Sequence, residues 1–195
     1  MIKMAYLFRR RPDSDMHTNY CSQPGVRMAR IAVMLTVLWM AGFAFADDPD
    51  KASPGWKGTD FSGADVDFPA VLHGKPTVMV FWATWCPYCR AFMPYLGEIQ
   101  NDYGEDRINI LTINVFEDGE LDPAAYIDSL GYPMIAVASG DFIAEIYSVR
   151  GTPGLMILDG QGNPIWKRAS TELPPGKTVA EFWSRQVREQ LDNLL

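Results

Sequence analysis

The sequence has few of the residues that bind metals or cross-link small proteins: its 195 residues include three cysteines and two histidines. Cys21 stands in the polar N-terminal part, where we predict no role for it, and Cys86 and Cys89 stand together. A structural zinc site needs four ligands, and after the N-terminal part only His73 could join the pair, so we expect no metal. Two cysteines also make no disulfide framework. The pair is therefore expected to be reactive.

Long apolar runs are also scarce. Residues 31–45 form one uncharged, largely apolar run of fifteen residues, which follows two arginines and ends in the small-residue site Ala44-Phe45-Ala46. Because a bilayer span needs about 20 apolar residues, this layout predicts a secretory signal over residues 28–46, with an uncleaved membrane anchor as the alternative. Residues 1–27 are predicted to be a polar extension, either untranslated, with the true start at Met28, or a cytoplasmic tail.

Positive charge is scarce after the apolar run. Residues 1–46 hold six Lys/Arg and two Asp/Glu, a net charge of +4, whereas residues 47–195 hold eleven against twenty-two, a net charge of −11. Nucleic acids and anionic membrane surfaces attract basic proteins. The acidic composition therefore excludes both as expected partners of this part of the chain.

The two cysteines lie where a predicted strand meets a predicted helix. Residues 77–80 form an apolar, β-branched run, typical of a buried strand. The N-terminus of a helix carries unpaired N–H groups and partial positive charge, which stabilise a thiolate and make a cysteine nucleophilic. The two-residue spacer lets Cys89 fold back and close a disulfide with Cys86. We therefore predict redox chemistry, with Cys86 as nucleophile and Cys89 as resolving thiol; the alternative is an inert structural disulfide. The apolar residues at helical spacing are Phe92, Tyr95, Leu96 and Ile99.

The stretch Phe81-Trp82-Ala83-Thr84-Trp85-Cys86-Pro87-Tyr88-Cys89-Arg90, followed by Pro94, resembles the TlpA/ResA-like family of thioredoxin-fold thiol–disulfide oxidoreductases. The resemblance implies an α/β fold, a central mixed β-sheet flanked by helices with a TlpA/ResA-like insertion, over residues 61–195. Residues 47–60, rich in Asp, Pro, Gly and Lys, are predicted to be a linker.

The pattern along the chain predicts elements in that order. Residues 108–115 are apolar on both faces, as in a parallel, interior strand, and Asp122 followed by Pro123 is typical of a helix start. Asp159-Gly160-Gln161-Gly162-Asn163 predicts a hairpin turn. The predicted elements are a strand or hairpin over 61–72, a strand at 77–80, a helix over 87–101, a strand over 108–115, a helix over 123–130, a strand over 134–138, a helix over 141–147, strands at 155–158 and 164–168, and an amphipathic helix over 178–194.

The resemblance also implies a second half of the site. Thr152-Pro153 matches a cis-proline that faces the cysteines, preceded by a residue that offers backbone atoms to an extended substrate. Glu117, directly after Ile113-Asn114-Val115-Phe116, matches a glutamate of the ResA-like branch. Its implied role is to accept the proton of the resolving thiol, with a raised pKa. The alternative is a solvated acid in the turn 117–120.

Aromatic residues and the spacer complete the predicted site. Trp85 is expected at the rim that substrates touch, and Trp82 is left open between rim and core. Pro87 and Tyr88 fill the spacer and tune the reduction potential. The sequence departs from the family at four positions. Tyr88 in the spacer leaves the reduction potential open. Val80 stands where thioredoxins have a buried Asp, Phe92 where relatives commonly have Glu, and Gly154 where they often have Thr.

The resemblance implies an exported, periplasmic protein thiol–disulfide oxidoreductase that exchanges a Cys86–Cys89 disulfide with the cysteines of client proteins and needs no bound cofactor. It favours a reductase over an oxidase, with apocytochrome c among the clients of the family and a membrane thiol as electron donor. Two alternatives remain. One is a thiol peroxidase or glutathione-dependent reductase, and the other is a non-catalytic module that binds partners in the groove around Pro153.

Overall fold

The computed structural model describes residues 53–169, 175–176 and 178–195, which form a five-stranded sheet, its covering helices and a separate two-stranded hairpin. The hairpin strands are β1 (Trp56–Thr59) and β2 (Asp65–Phe68), and the sheet strands are β3 (Thr77–Trp82), β4 (Asn109–Asn114), β5 (Ile135–Val137), β6 (Gly154–Leu158) and β7 (Pro164–Lys167). The α-helices are α1 (Pro87–Tyr103), α2 (Pro123–Leu130), α3 (Asp141–Ile146) and α4 (Val179–Leu194), and a 3-10 turn spans Ala70–Leu72.

The sheet topology brings three distant parts of the chain to one edge. The strand order is β5-β4-β3-β6-β7, in which β3, β4 and β5 are parallel while β6 runs antiparallel to β3 and to β7. Trp82 at the end of β3 lies opposite Asn114 at the end of β4, and Phe81 lies opposite Gly154 at the start of β6. The segments after β3, after β4 and before β6 therefore meet at the same edge.

The helices begin and end where local signals predict. The Asp122 side chain accepts a hydrogen bond from the backbone N–H of Ala124 at 2.9 Å and caps α2. Gly104, with φ of 93°, ends α1, because this backbone conformation suits glycine. Helix α2 lies where a helix over 123–130 was predicted, and edge strand β5 follows it before α3.

Strand β3 is buried on both faces. Because side chains alternate along a strand, Val80 and Trp82 lie in the core that α1 and α4 share. Met79 and Phe81 lie in a second core on the opposite face, with the hairpin and α3. Burial of an apolar side chain of this size contributes roughly 1.5–3 kcal/mol, so β3 anchors the whole sheet.

The predicted linker over residues 47–60 is wrong at its end, where Trp56–Thr59 form strand β1. The cause is an aromatic stack: the Trp56 ring lies parallel to that of Phe68 with centroids 4.7 Å apart. Thr59 also forms a β-bridge with Ala138, which ties the hairpin to the chain beyond β5. The polar residues around Trp56 gave no signal of this long-range packing.

The predicted signal or anchor at residues 28–46, the extension 1–27 and residues 47–52 lie outside the described residues. Within the described ranges, none of the helices has the length and apolar character needed to cross a bilayer.

Candidate active site

The first cysteine caps the helix that follows the motif. After β3 ends at Trp82, the chain turns and Cys86 becomes the N-cap of α1, with Pro87 at the first helical position. Proline fits there because the first N–H groups of a helix have no partner inside it. The Cys86 Sγ accepts a hydrogen bond from the backbone N–H of Cys89 at 3.2 Å. The sulfur therefore lies at the positive end of the helix dipole, which favours a thiolate.

The two cysteines are joined as a disulfide, with their Cα atoms 5.3 Å apart. Both are buried, and only 2% of Cys86 is exposed against 0% of Cys89. Cys86 is thus the more exposed cysteine, as predicted, by a small margin.

The aromatic residues of the motif separate into rim and core. Trp85 is 43% exposed and Tyr88 56% exposed, so both present apolar surface beside the disulfide. The Trp85 indole Nε1 donates a hydrogen bond to the backbone oxygen of Phe116 at 2.6 Å, which fixes its orientation. Trp82, left open by the sequence, is fully buried and packs against Tyr126 with ring centroids 5.3 Å apart. It is a core residue.

Glu117 is bound to the motif. Its carboxylate accepts hydrogen bonds from the backbone N–H of Thr84 at 2.7 Å, from the Thr84 hydroxyl and from the Asn114 side-chain amide. Thr84 and Asn114 are buried, and Glu117 is half-buried. The alternative of a solvated turn residue is therefore wrong. The sequence analysis missed Thr84 and Asn114. Asn114 is a polar residue at the end of a largely apolar strand, whereas Thr84 lies two residues after the end of β3.

The Thr152–Pro153 segment lies at the edge of the sheet that carries the motif. The peptide bond between them is cis, as the resemblance implied, and Pro153 is buried directly before β6. The Thr152 hydroxyl is buried and has no hydrogen-bond partner among the residues that the structure describes. We call residues 150–153 the Pro153 loop.

Two residues that the sequence analysis did not assign to the site together link its two halves. The Arg168 Nη2 donates a hydrogen bond to the backbone oxygen of Pro153, and the Arg168 guanidinium carbon lies 4.1 Å from the centroid of the Trp183 ring. Trp183, predicted only as an apolar position of α4, meets Phe92 and Tyr88 edge-on, with centroids 5.8 Å and 6.5 Å apart. No local pattern marks Arg168, because its contacts are made across the fold.

The family's other carboxylate positions are apolar and buried in this chain. Val80 pairs with Leu155 in the middle of the sheet, and Phe92 packs against Trp183. Neither position can transfer a proton. Glu117 is the carboxylate that contacts the motif.

Comparison with known proteins gives consistent results. The sequence model of the AhpC/TSA family matches residues 49–165. The chain is 27% identical over 177 residues to "Thiol-disulfide oxidoreductase ResA" of Bacillus cereus, covering 85% of this chain and 92% of that protein. It is 32% identical over 127 residues to "Thiol:disulfide interchange protein DsbE" of Yersinia pestis, covering 64% of this chain and 62% of that protein.

Solved structures confirm the predicted thioredoxin fold. The thioredoxin domain of a thiol-disulfide oxidoreductase from Bacteroides vulgatus is similar with a TM-score of 0.53 at 23% identity, covering 70% of this chain and 95% of that one. A putative thiol:disulfide interchange protein DsbE from Chlorobium tepidum is similar with a TM-score of 0.58 at 17% identity, covering 72% and 93%. At these identities the likeness concerns the fold alone.

Proposed function

This chain belongs to the AhpC/TSA family, and on that premise we propose that it exchanges its Cys86–Cys89 disulfide with cysteines of client proteins. It is an enzyme of the thiol–disulfide oxidoreductase type, as the motif predicted and as the names of its relatives confirm. The observation that carries the proposal is the disulfide at the N-terminus of α1, where Cys86 is the N-cap.

In the reductase direction, the Cys86 thiolate attacks one sulfur of a client disulfide, and the other client sulfur leaves as a thiolate. The mixed disulfide that forms is then attacked by Cys89, which closes the Cys86–Cys89 disulfide and releases the second client thiolate. Two electrons pass to the client, and a thiol donor restores the dithiol. The partial positive charge of the helix N-terminus favours the thiolate of Cys86, and the proposed exchange needs no bound cofactor.

We assign to Glu117 the removal of the proton from Cys89. Three donors on Thr84 and Asn114 hold its carboxylate, and Thr84 lies two residues before Cys86. A carboxylate held by the segment that leads into the two cysteines is suited to general base catalysis, because its position is set before the client arrives.

We assign client binding to the exposed aromatic residues and the Pro153 loop. Trp85 and Tyr88 offer apolar surface on one side of the disulfide, with Pro87 between Cys86 and Tyr88. On the other side, Thr152 offers backbone atoms to an extended client segment, and Pro153 provides the buried contact behind it. Exposed tryptophan and tyrosine are enriched where proteins bind one another, which supports this assignment.

The finer proposal is an exported, periplasmic reductase of client proteins, including apocytochrome c, that a membrane thiol donor re-reduces. The names ResA and DsbE of the relatives support it, as does the predicted signal or anchor at residues 28–46. The acidic composition after that segment supports a protein partner rather than a nucleic acid.

Mixed-disulfide trapping tests the proposal. In the reduced full-length chain with Cys21→Ser in every variant, Cys89→Ser should accumulate a covalent adduct with a disulfide-bonded client protein, whereas Cys86→Ser, the matched control, should form none, because only Cys86 attacks. A non-reducing gel measures both. Adducts on the Cys86→Ser variant would reverse the two roles, and a wild-type protein that oxidises with hydrogen peroxide faster than with the client would support the peroxidase alternative.

The equilibrium reduction potential tests the direction. Thioredoxin has a potential of about −270 mV and the oxidant DsbA one of about −120 mV. We expect a value towards the thioredoxin end, and a value towards the DsbA end would make this protein a disulfide donor.

A further inference from the structure

Few hydrogen bonds hold the Pro153 loop in place in the described structure. Its preceding residue, Val149, donates a backbone hydrogen bond to Ala144 at 2.8 Å, and its following residue, Gly154, enters the β6 ladder opposite Phe81. Among the residues that the structure describes, a single hydrogen bond reaches residues 150–153 themselves, from the Arg168 Nη2 to the Pro153 backbone oxygen. The position of this carbonyl therefore depends on Arg168.

Arg168 is an unusual choice for a purely structural anchor. Its Nε and Nη1 are buried and lack hydrogen-bond partners in the described part of the chain, and no carboxylate there forms an ion pair with it. Burial lowers the pKa of the guanidinium, although arginine stays protonated in proteins. Burying a cation without a paired anion costs free energy. The contacts that offset this cost in the described part of the chain are the hydrogen bond to the Pro153 carbonyl and the stack on Trp183, and both lie at the site.

The guanidinium also joins the two sides of the site. The backbone N–H of Arg168 donates to the Leu155 oxygen at 3.0 Å, which continues the pairing of β7 with β6 by one residue and aims the side chain at the Pro153 loop. The guanidinium lies over the ring of Trp183, and the same ring meets Tyr88 of the Cys86–Cys89 spacer. One side chain therefore contacts the Pro153 loop and the ring that supports the spacer.

We propose that Arg168 is a positioning residue for client binding, which fixes the Pro153 carbonyl and the Trp183 ring so that the Pro153 loop is ordered before a client segment arrives. This inference rests on the proposed function. Preorganisation reduces the entropy that binding must remove, so its loss raises the client concentration needed for reaction more than it lowers the maximal rate. A small disulfide that touches only the sulfur atoms does not use this loop and gains nothing from the order.

The test compares two oxidants of the reduced full-length protein: a synthetic peptide with one intramolecular disulfide, and 2-hydroxyethyl disulfide, which has no peptide backbone. In Arg168→Met we expect the peptide concentration at half-maximal rate to rise about tenfold, the effect of losing one charge-assisted hydrogen bond, with the maximal rate nearly unchanged. The rate with 2-hydroxyethyl disulfide should stay within about twofold of wild type.

Two further variants serve as controls. Arg168→Lys keeps a charged donor for the Pro153 carbonyl and should recover most of the peptide binding. Arg107→Met removes the same charge from an exposed position before β4, at the end of the sheet opposite to the site, and should behave as wild type. If Arg168→Met fails to fold, the test uses Arg168→Lys, for which we expect a smaller rise in the peptide concentration at half-maximal rate.

The outcomes separate this inference from the proposed function. A wild-type protein that reacts with neither disulfide contradicts the function itself. Three results with an active wild-type protein would show that Arg168 does not position the loop. Arg168→Met could react with the peptide as wild type does, or its reaction with both disulfides could fall by the same factor. Arg168→Lys could also need as high a peptide concentration as Arg168→Met.

Discussion

The two sides of the candidate site are anchored in opposite ways. We define the motif side as residues 83–89 with Asn114 and Glu117, and the proline side as the Pro153 loop with Arg168 and Trp183. On the motif side, the Glu117 carboxylate accepts three hydrogen bonds, and the sulfur of Cys86 accepts a fourth from the backbone. On the proline side, one hydrogen bond and one guanidinium–indole stack hold the loop in the described structure.

This difference matches what each side is proposed to do. Electron and proton transfer need atoms at fixed distances, which the hydrogen bonds of the motif side provide. Client binding needs a surface whose order can be supplied by packing, and the proline side is built mainly from a proline, a tryptophan and an arginine. With the proposed roles, proton and electron transfer rest on the motif side, whereas client binding is shared between Trp85 and Tyr88 of that side and the Pro153 loop. The ring of Trp183, which meets Tyr88 and stacks on Arg168, joins the two sides.

The largest expected effect is at Trp183, where the two sides meet. Trp183→Ala should lower the free energy of unfolding by about 3–5 kcal/mol, because the ring is buried and contacts Phe92, Tyr88 and Arg168 at once. Urea denaturation of the oxidised protein measures it. Trp183→Phe should cost clearly less, since it keeps an aromatic ring and removes an indole N–H that has no partner in the described residues. Equal losses in both variants would show that the ring contacts do not join the two sides.

A smaller effect is expected at the start of β6, on the proline side alone. A Cβ added at Gly154 would lie 2.8 Å from the Val149 Cγ1 and 3.2 Å from the Phe81 Cβ, closer than side chains normally approach. Gly154→Thr, the residue that relatives often carry, should therefore destabilise the protein by about 1–3 kcal/mol in urea denaturation. Gly151→Thr is the matched control, because nothing lies within 4 Å of a Cβ there, and should change the stability by less than about 0.5 kcal/mol. A neutral Gly154→Thr would mean that the loop can shift to make room.

The strand, turn and helix that carry the two cysteines could be predicted from the sequence because their signals are local. Within residues 77–99 there follow one another an apolar run, two cysteines with a proline at the helix start, and apolar residues at helical spacing. Each of these patterns indicates the backbone conformation of its own segment. The helix α2 was predicted equally well, from Asp122 and Pro123 at its start. Family resemblance extended this to Pro153 and Glu117, which no local pattern marks.

The features that could not be predicted from the sequence depend on contacts between residues far apart in the chain. Strand β1 was assigned to a linker because Trp56 finds its partner Phe68 only after the chain has turned back. Arg168 was missed because it reaches Pro153 only once β6 and β7 have paired. The hydrogen bonds to Glu117 join two strand ends that the parallel pairing of β3 and β4 brings together. In each case the residues can be read from the sequence, but their proximity arises only when the chain folds.

The smallest expected effect tests the motif side. Thr84→Val keeps the shape of a buried side chain and removes the hydroxyl that donates to Glu117, while the backbone N–H of Thr84 and the amide of Asn114 still donate. We expect a loss of about 1 kcal/mol of stability, the net value of a typical hydrogen bond, and slower release of client from the mixed disulfide. Thr84→Ser, which keeps the hydroxyl, is the matched control and should release client at the wild-type rate.

A double-mutant cycle decides whether that hydroxyl acts through Glu117. If it does, Glu117→Gln already removes the charge that the hydroxyl orients, so adding Thr84→Val should slow client release little further, and the two effects should be far from additive. Rapid-quench measurement of mixed-disulfide decay gives the rates. Additive effects would show that Thr84 and Glu117 act independently. The motif side would then resemble the proline side, an array of separate contacts instead of one hydrogen-bonded unit around the reacting sulfur atoms.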